Sequence, residues 1–143
     1  MQAAPTDPTA DRVPAMLVDA MAEAVILADP DGVIRLWNRG AQAMFGFSAG
    51  EAVGSPLDLI IPDKLLAAHN SGFRAAVQTG QLKLGGRVMT TRARHQSGAR
   101  VYVDFSFGML RDDAGALVGI FAVGRDVTQR HLAQAGAPSQ AGG

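Results

Sequence analysis

From Val101 to Met109 the chain alternates without a break: Val101, Val103, Phe105, Phe107 and Met109 are apolar, with Tyr102, Asp104, Ser106 and Gly108 between them. A period of two sends successive side chains to opposite faces of an extended strand, so one face of this segment is buried. Such a strand needs sheet neighbours and an apolar cover over its inner face, which restricts the chain to a sheet with its helices packed on one side.

The flanking residues supply the neighbours. Leu82 to Ala93 reads as a preceding strand, joined through the turn Gln96-Ser-Gly98, and Arg111-Asp-Asp-Ala-Gly115 turns the chain into a further strand from Leu117 to Gly124. Upstream, Ala24 to Ala28 and Val33 to Trp37 form a hairpin around Asp29-Pro-Asp-Gly32, where Pro presets one dihedral and Gly permits a positive φ. Between the two strand groups lie short helices. Asn38 caps one over Arg39 to Phe45, Ser48-Ala-Gly-Glu51 has capping-box spacing for another, and Pro62 opens a longer one that Thr79-Gly80 closes. The order of elements predicts an α+β fold with an antiparallel sheet.

That longer helix carries the most informative side chain. Leu65, Leu66, His69, Phe73 and Val77 recur at three- and four-residue intervals, so the imidazole is expected on the inward face. An inward imidazole needs a partner: a backbone carbonyl, another side chain or a metal. His95 and His131 are expected at solvent-exposed positions, without metal-ligand spacing to His69. Asp63, His69 and Ser71 sit too close together on one helix to converge as a hydrolytic triad, so the chain is expected to be non-enzymatic.

Composition removes whole classes of function. With 143 residues and 48% hydrophobic content the chain makes one domain, and 13 basic against 13 acidic residues leave no field to attract nucleic acid or a membrane surface. The absence of cysteine excludes disulfides, thiolate catalysis, zinc–cysteine sites and cysteinyl photoadducts. No export signal and no apolar run of roughly 18 residues is visible, which reads as a cytoplasmic protein. Residues 1–12 read as a disordered arm and 133–143 as a disordered tail around a folded unit of 13–132. Within that unit Pro14 starts an N-terminal helix over 13–22, with Met16, Leu17, Ala20 and Met21 covering an edge of the core, and Asp126 caps a C-terminal helix over 126–132.

The segments Ala28-Asp-Pro-Asp-Gly-Val-Ile-Arg-Leu-Trp-Asn38, Ala41-Gln-Ala-Met-Phe-Gly-Phe47, Glu51-Ala-Val-Gly54 and Gly124-Arg-Asp-Val-Thr-Gln-Arg130 resemble, in this order, a PAS sensory domain over roughly Met21 to His131. The resemblance implies a five-stranded antiparallel sheet with short helices enclosing a pocket on one face. It also implies a terminal helix that hands signals to an effector: a kinase, a cyclase or phosphodiesterase, or a transcription regulator, as in two-component systems. A homodimer is the expected assembly.

Ile60-Ile-Pro-Asp63 followed by His69 and Arg74 is similar to the haem-binding oxygen-sensor (FixL-type) subgroup. There a histidine at the matching helix position is the proximal iron ligand, which implies haem b, with His69 as the axial ligand, sensing a diatomic gas or redox state. Arg74 is then within reach of a propionate. Arg87 or Met89 falls near the distal position, depending on the register, and Phe105 and Phe107 overlay the strand lining the distal face. The alternative is a cofactor-free interaction and dimerisation module, which the bulk of Phe105 and Phe107 favours.

Overall fold

The computed structural model describes residues 10–83 and 87–135. Helix α1 is Val13–Ala20, followed by strands β1 (Ala24–Ala28) and β2 (Ile34–Trp37). Helices α2 (Arg39–Phe45), α3 (Ala49–Ala52) and α4 (Asp63–Thr79) precede β3 (Met89–Arg94), β4 (Arg100–Arg111), β5 (Leu117–Asp126) and α5 (Thr128–Ala135). One antiparallel sheet runs in the order β2-β1-β5-β4-β3, so the chain's first hairpin joins its last strand at the centre.

The register puts the alternating residues of β4 where the sequence predicts. Phe105 lies opposite Met89 on one side and Gly124 on the other, and Phe107 lies opposite Ala122, which in turn faces Ile26. Gly124 is required there: a Cβ would come within 2.6 Å of the Phe105 ring. The ring of Phe105 stacks on Phe45 of α2 at 6.5 Å, and Phe45 meets Trp37 at 5.6 Å. These aromatics, with Ile34 and Val103, make the core, and burying each large side chain contributes about 1.5–3 kcal/mol.

Asn38 joins four segments. Its Oδ1 accepts the Val25 and Ala41 N–H groups at 2.8 and 2.9 Å, capping α2 and pairing β1. Its Nδ2 donates to the carbonyls of Val18 at 2.8 Å and Glu23 at 3.0 Å, which fixes the end of α1. The residue is buried with every polar side-chain atom satisfied.

Several boundaries differ from the sequence-based expectation. Residues 10–12 form a short 3-10 turn leading into α1, while residues 1–9 of the expected arm lie outside the described residues. Helix α1 stops at Ala20 instead of 22, and none of its residues is buried: Met16 is 51% and Leu17 63% exposed. It is held by its carbonyls on Asn38 and by the Asp19–Arg39 ion pair, not by an apolar face. Helix α5 starts at Thr128 and runs through Ala135, three residues into the expected tail; residues 136–143 lie outside the described residues. Strand β3 begins at Met89, not Leu82, because its ladder with β4 begins at the Met89–Phe105 pair; residues 84–86 of the expected strand lie outside the described residues.

Asn38→Asp replaces a donor facing carbonyls with a buried charge, so chemical denaturation should show a loss of about 3 kcal/mol or more. Two glycine substitutions should move stability in opposite directions. A Cβ on Gly40 would sit 2.2 Å from the Glu23 carbonyl oxygen, so Gly40→Ala should destabilise by about 2 kcal/mol or more; on Gly72 of α4 it would meet nothing, so Gly72→Ala should stabilise by about 0.5–1 kcal/mol.

Candidate functional site

Helix α4 is attached mainly at its ends. At its start, Arg94 of β3 donates to the Asp58 carbonyl at 3.3 Å and pairs with Asp63 at 3.6 Å. At its finish, Gly80 takes a left-handed conformation that closes the helix, and Arg111 of β4 donates to the Gly80 carbonyl at 3.0 Å. Between these ties only Ala76 is buried.

Opposite the middle of α4 stand the β1–β2 turn and the segment 56–58. The turn is built on Asp29, whose carboxylate accepts the Asp31 and Val33 N–H groups at 2.9 and 3.1 Å and the Arg35 guanidinium at 2.8 Å. Gly32, at φ 83°, lets the turn close, and its carbonyl accepts the Leu57 N–H at 3.1 Å. Ile34 bonds back to Ser55 and Gly54 at 2.9 and 2.8 Å, which pins the segment to the free edge of β2. Phe73 of α4 rests on Gly32, with 3.9 Å between the Phe ring and the position of a Cβ there.

These three segments enclose a cleft of about 490 Å³. The α4 wall presents His69, Asn70, Phe73, Arg74, Val77 and Gln78; the facing wall presents Pro30, Asp31, Gly32, Pro56, Leu57 and Asp58. The volume falls within the range of about 300–1,000 Å³ usual for small-molecule sites, and the lining is about evenly divided between polar and apolar residues, more polar than is usual. A second, smaller groove of about 260 Å³ lies between α1 and β2 and is almost wholly apolar.

His69 is half-buried, so the inward imidazole expected from the sequence borders the cleft instead of entering the core. Its Nδ1 lies 3.4 Å from Asn70 Oδ1, a long contact, and its ring lies 6.2 Å from that of Phe73 at 30°. Arg74 shares the cleft with it. The other four predicted site residues do not. Arg87 is exposed in the loop before β3, Met89 is half-buried at the start of that strand, and Phe105 and Phe107 lie on the inner face of the sheet, packed with Phe45.

Haem b is therefore met on one side only. An imidazole and a guanidinium on one cleft fit the axial position and a propionate edge. Phe105 and Phe107 lie outside the cleft lining, so the arrangement does not supply the second face of a haem slot. Among the described residues no group of three or more His, Cys, Asp or Glu side chains is placed to hold a metal ion, and no helix is long and apolar enough to cross a membrane.

Sequence reasoning missed Asp31, Asp58 and Asn70. Asp31 reads as a turn residue, and nothing in the local pattern says that the turn faces α4. It also placed His95 and His131 in solvent, whereas both are half-buried. His95 packs on Gly46 and accepts the Ser97 N–H at 3.0 Å, and His131 stacks on Tyr102 at 3.7 Å.

A five-stranded antiparallel sheet roofed by short helices, with a ligand-sized cleft beside the longest of them, is the architecture of a PAS-type sensory module. The chain belongs to the PAS family: the family model described as the PAS fold matches residues 18–132. It is 28% identical over 115 residues to an uncharacterized protein of Azorhizobium caulinodans, covering 80% of this chain and 15% of that protein. It is 23% identical over 119 residues to the sensor protein FixL of Bradyrhizobium diazoefficiens, covering 83% of this chain and 23% of that protein. The chain thus spans less than a quarter of the length of these relatives. Among solved structures, the PAS domain of a Colwellia psychrerythraea protein superimposes with a TM-score of 0.72 at 23% identity, covering 83% of this chain and 98% of that one.

The turn that forms one wall of the cleft is organised around the ionised Asp29 carboxylate. Burial works to raise the Asp29 pKa, but the Val33 N–H, the Arg35 guanidinium and the Asp31 N–H outweigh it and hold the carboxyl below its ordinary value of 3.8. A depressed carboxylate contributes stability that is present above the unfolded pKa and lost as pH falls through the folded one. Stability measured by denaturant from about pH 6 down to about pH 3 should therefore fall less steeply in Asp29→Asn than in the parent chain.

Proposed function

We propose that this chain is the sensory part of a signalling protein, that its input is a small molecule received in the His69 cleft, and that it acts by binding, without catalysis. The observation that carries this reading is that α4, the β1–β2 turn and the segment 56–58 converge on one ligand-sized cleft, with α4 held chiefly at its ends. A ligand that touches both walls changes how they sit relative to one another, and it shifts a conformational equilibrium by its differential affinity for the two arrangements. The sensor protein among the relatives supports the same reading.

Output leaves through α5. Thr128 Oγ1 accepts the Tyr102 N–H at 3.0 Å, Arg130 pairs with Asp104 at 3.0 Å, and His131 stacks on Tyr102. The receiver is an effector segment or partner, of kinase, cyclase, phosphodiesterase or transcription-regulating type. Assembly as a homodimer would use the exposed apolar residues Val13, Met16, Leu17 and Leu132.

Haem b is the finer form of this reading that His69 and Arg74 favour. His69 would be the axial ligand and Arg74 the cation beside a propionate, and bound haem would supply an iron that responds to gases or redox state. The filled interior formed by Phe45, Phe105 and Phe107 favours the second reading, a cofactor-free interaction module.

Titration of the purified protein with haemin separates these. On the haem reading an intense near-ultraviolet absorption band develops and saturates, and His69→Ala abolishes it. A chain that stays colourless and refuses haemin overturns haem and leaves the organic ligands tested below to decide between small-molecule sensing and the interaction module.

A further inference from the structure

The charges around the cleft are of both signs and unmatched. Asp31 and Asp58 line one wall and Arg74 the other, and none of the three takes part in an ion pair among the described residues. Five carboxylates elsewhere, Asp19, Glu23, Asp29, Asp63 and Asp104, each have an arginine within 4.0 Å. The lining also holds apolar side chains, Phe73 lying against Gly32 with Leu57 and Val77 beside it, and the uncharged polar groups of Asn70 and Gln78. His69 adds a flat face beside Phe73.

Carboxylates on one wall, a guanidinium on the other and apolar side chains on both complement a molecule with an ammonium group, a carboxylate and a hydrophobic part. Charge-assisted hydrogen bonds form at both walls only if the ligand carries both charges. A ligand with one charge satisfies one wall and leaves the other unmatched, and a haem would bring two carboxylates towards a cleft already lined by two.

We propose that the cleft binds a zwitterion of amino-acid to dipeptide size with an apolar or aromatic side chain. Its ammonium group is held by Asp31 and Asp58, its carboxylate by Arg74, and its side chain lies against His69 and Phe73. This inference rests on the small-molecule reading above and names the ligand class for the same cleft. His69 then serves as a stacking wall and not as a metal ligand.

Isothermal titration calorimetry of the intact chain provides the test, with L-phenylalanine, L-leucine and the dipeptide leucyl-phenylalanine as probes. Phenethylamine and 3-phenylpropanoate serve as single-charge analogues, and haemin as the rival. At least one zwitterion should bind, with each single-charge analogue about tenfold weaker or worse. Arg74→Gln should reduce zwitterion affinity about tenfold with little effect on phenethylamine; Asp31→Asn with Asp58→Asn should do the same with little effect on 3-phenylpropanoate. Unchanged thermal unfolding midpoints would show that the variants fold.

Equal binding of the single-charge analogues, or charge variants that bind like the parent chain, would overturn the zwitterion. If no zwitterion binds but haemin does, in a His69-dependent way, the zwitterion falls and small-molecule sensing stands. If haemin fails as well, both fall and the interaction module remains.

Discussion

The Asn38 carboxamide sits where α1, β1, β2 and α2 meet, and both its oxygen and its nitrogen are used there. Its oxygen both caps α2 and substitutes for a ladder acceptor at Val25, so the helix starts at a fixed height above the sheet. That height is set closely, because the space a Cβ would need at Gly40 is taken by the Glu23 carbonyl. Phe45, at the other end of the same short helix, is thereby delivered onto Phe105, and the aromatic core follows from the placement of one amide.

A core closed in this way decides where an opening can form. Phe45 and Phe105 fill the space over the centre of the sheet, and Phe107 continues the aromatic surface towards the edge of the core. The opening is left at the flank, where α4 spans from Arg94 to Arg111 and meets the first hairpin through Phe73 and Gly32. The cleft is thus a consequence of a well-packed centre and a helix attached at its ends.

Much of this was legible in the residues. The alternation in β4, the Asp29 to Gly32 turn, the Asn38 cap and the Ser48–Glu51 capping box each state a local geometry, and each recurs in the structure with its hydrogen bonds. The site was legible only in part. His69 and Arg74 share a helix, so spacing alone brings them to one side. Which surface that side meets depends on the tilt of α4, which two arginines on distant strands determine, and no periodicity encodes that tilt. For the same reason Asp31 and Asp58 read only as turn and loop residues, and Phe105 and Phe107 read as partners of His69 when they pack on each other and Phe105 stacks on Phe45. The later start of β3 has a related cause: Leu82 lies in a stretch that reads as a strand, but a strand persists only where a neighbour supplies its ladder, and that ladder begins at Met89.

Helices α4 and α5 are both tied to the β3–β4 hairpin. Arg94 and Arg111, which tie the two ends of α4, stand on β3 and β4, and the pair Tyr102 and Asp104, which hold α5, stands on β4 between them in the ladder. On the proposed function, a ligand that drew α4 towards the β1–β2 turn would load both arginines, and the strain would fall on the hairpin that also holds Thr128, Arg130 and His131. The attachments of α5 are one ion pair, a ring stack and the Tyr102–Thr128 hydrogen bond, next to the buried Val127, so the helix is held by few contacts that are individually weak. In that reading, a rigid core with two lightly attached helices would give ligand binding a mechanical route to α5: the core resists deformation, and the displacement is taken up where attachment is weakest.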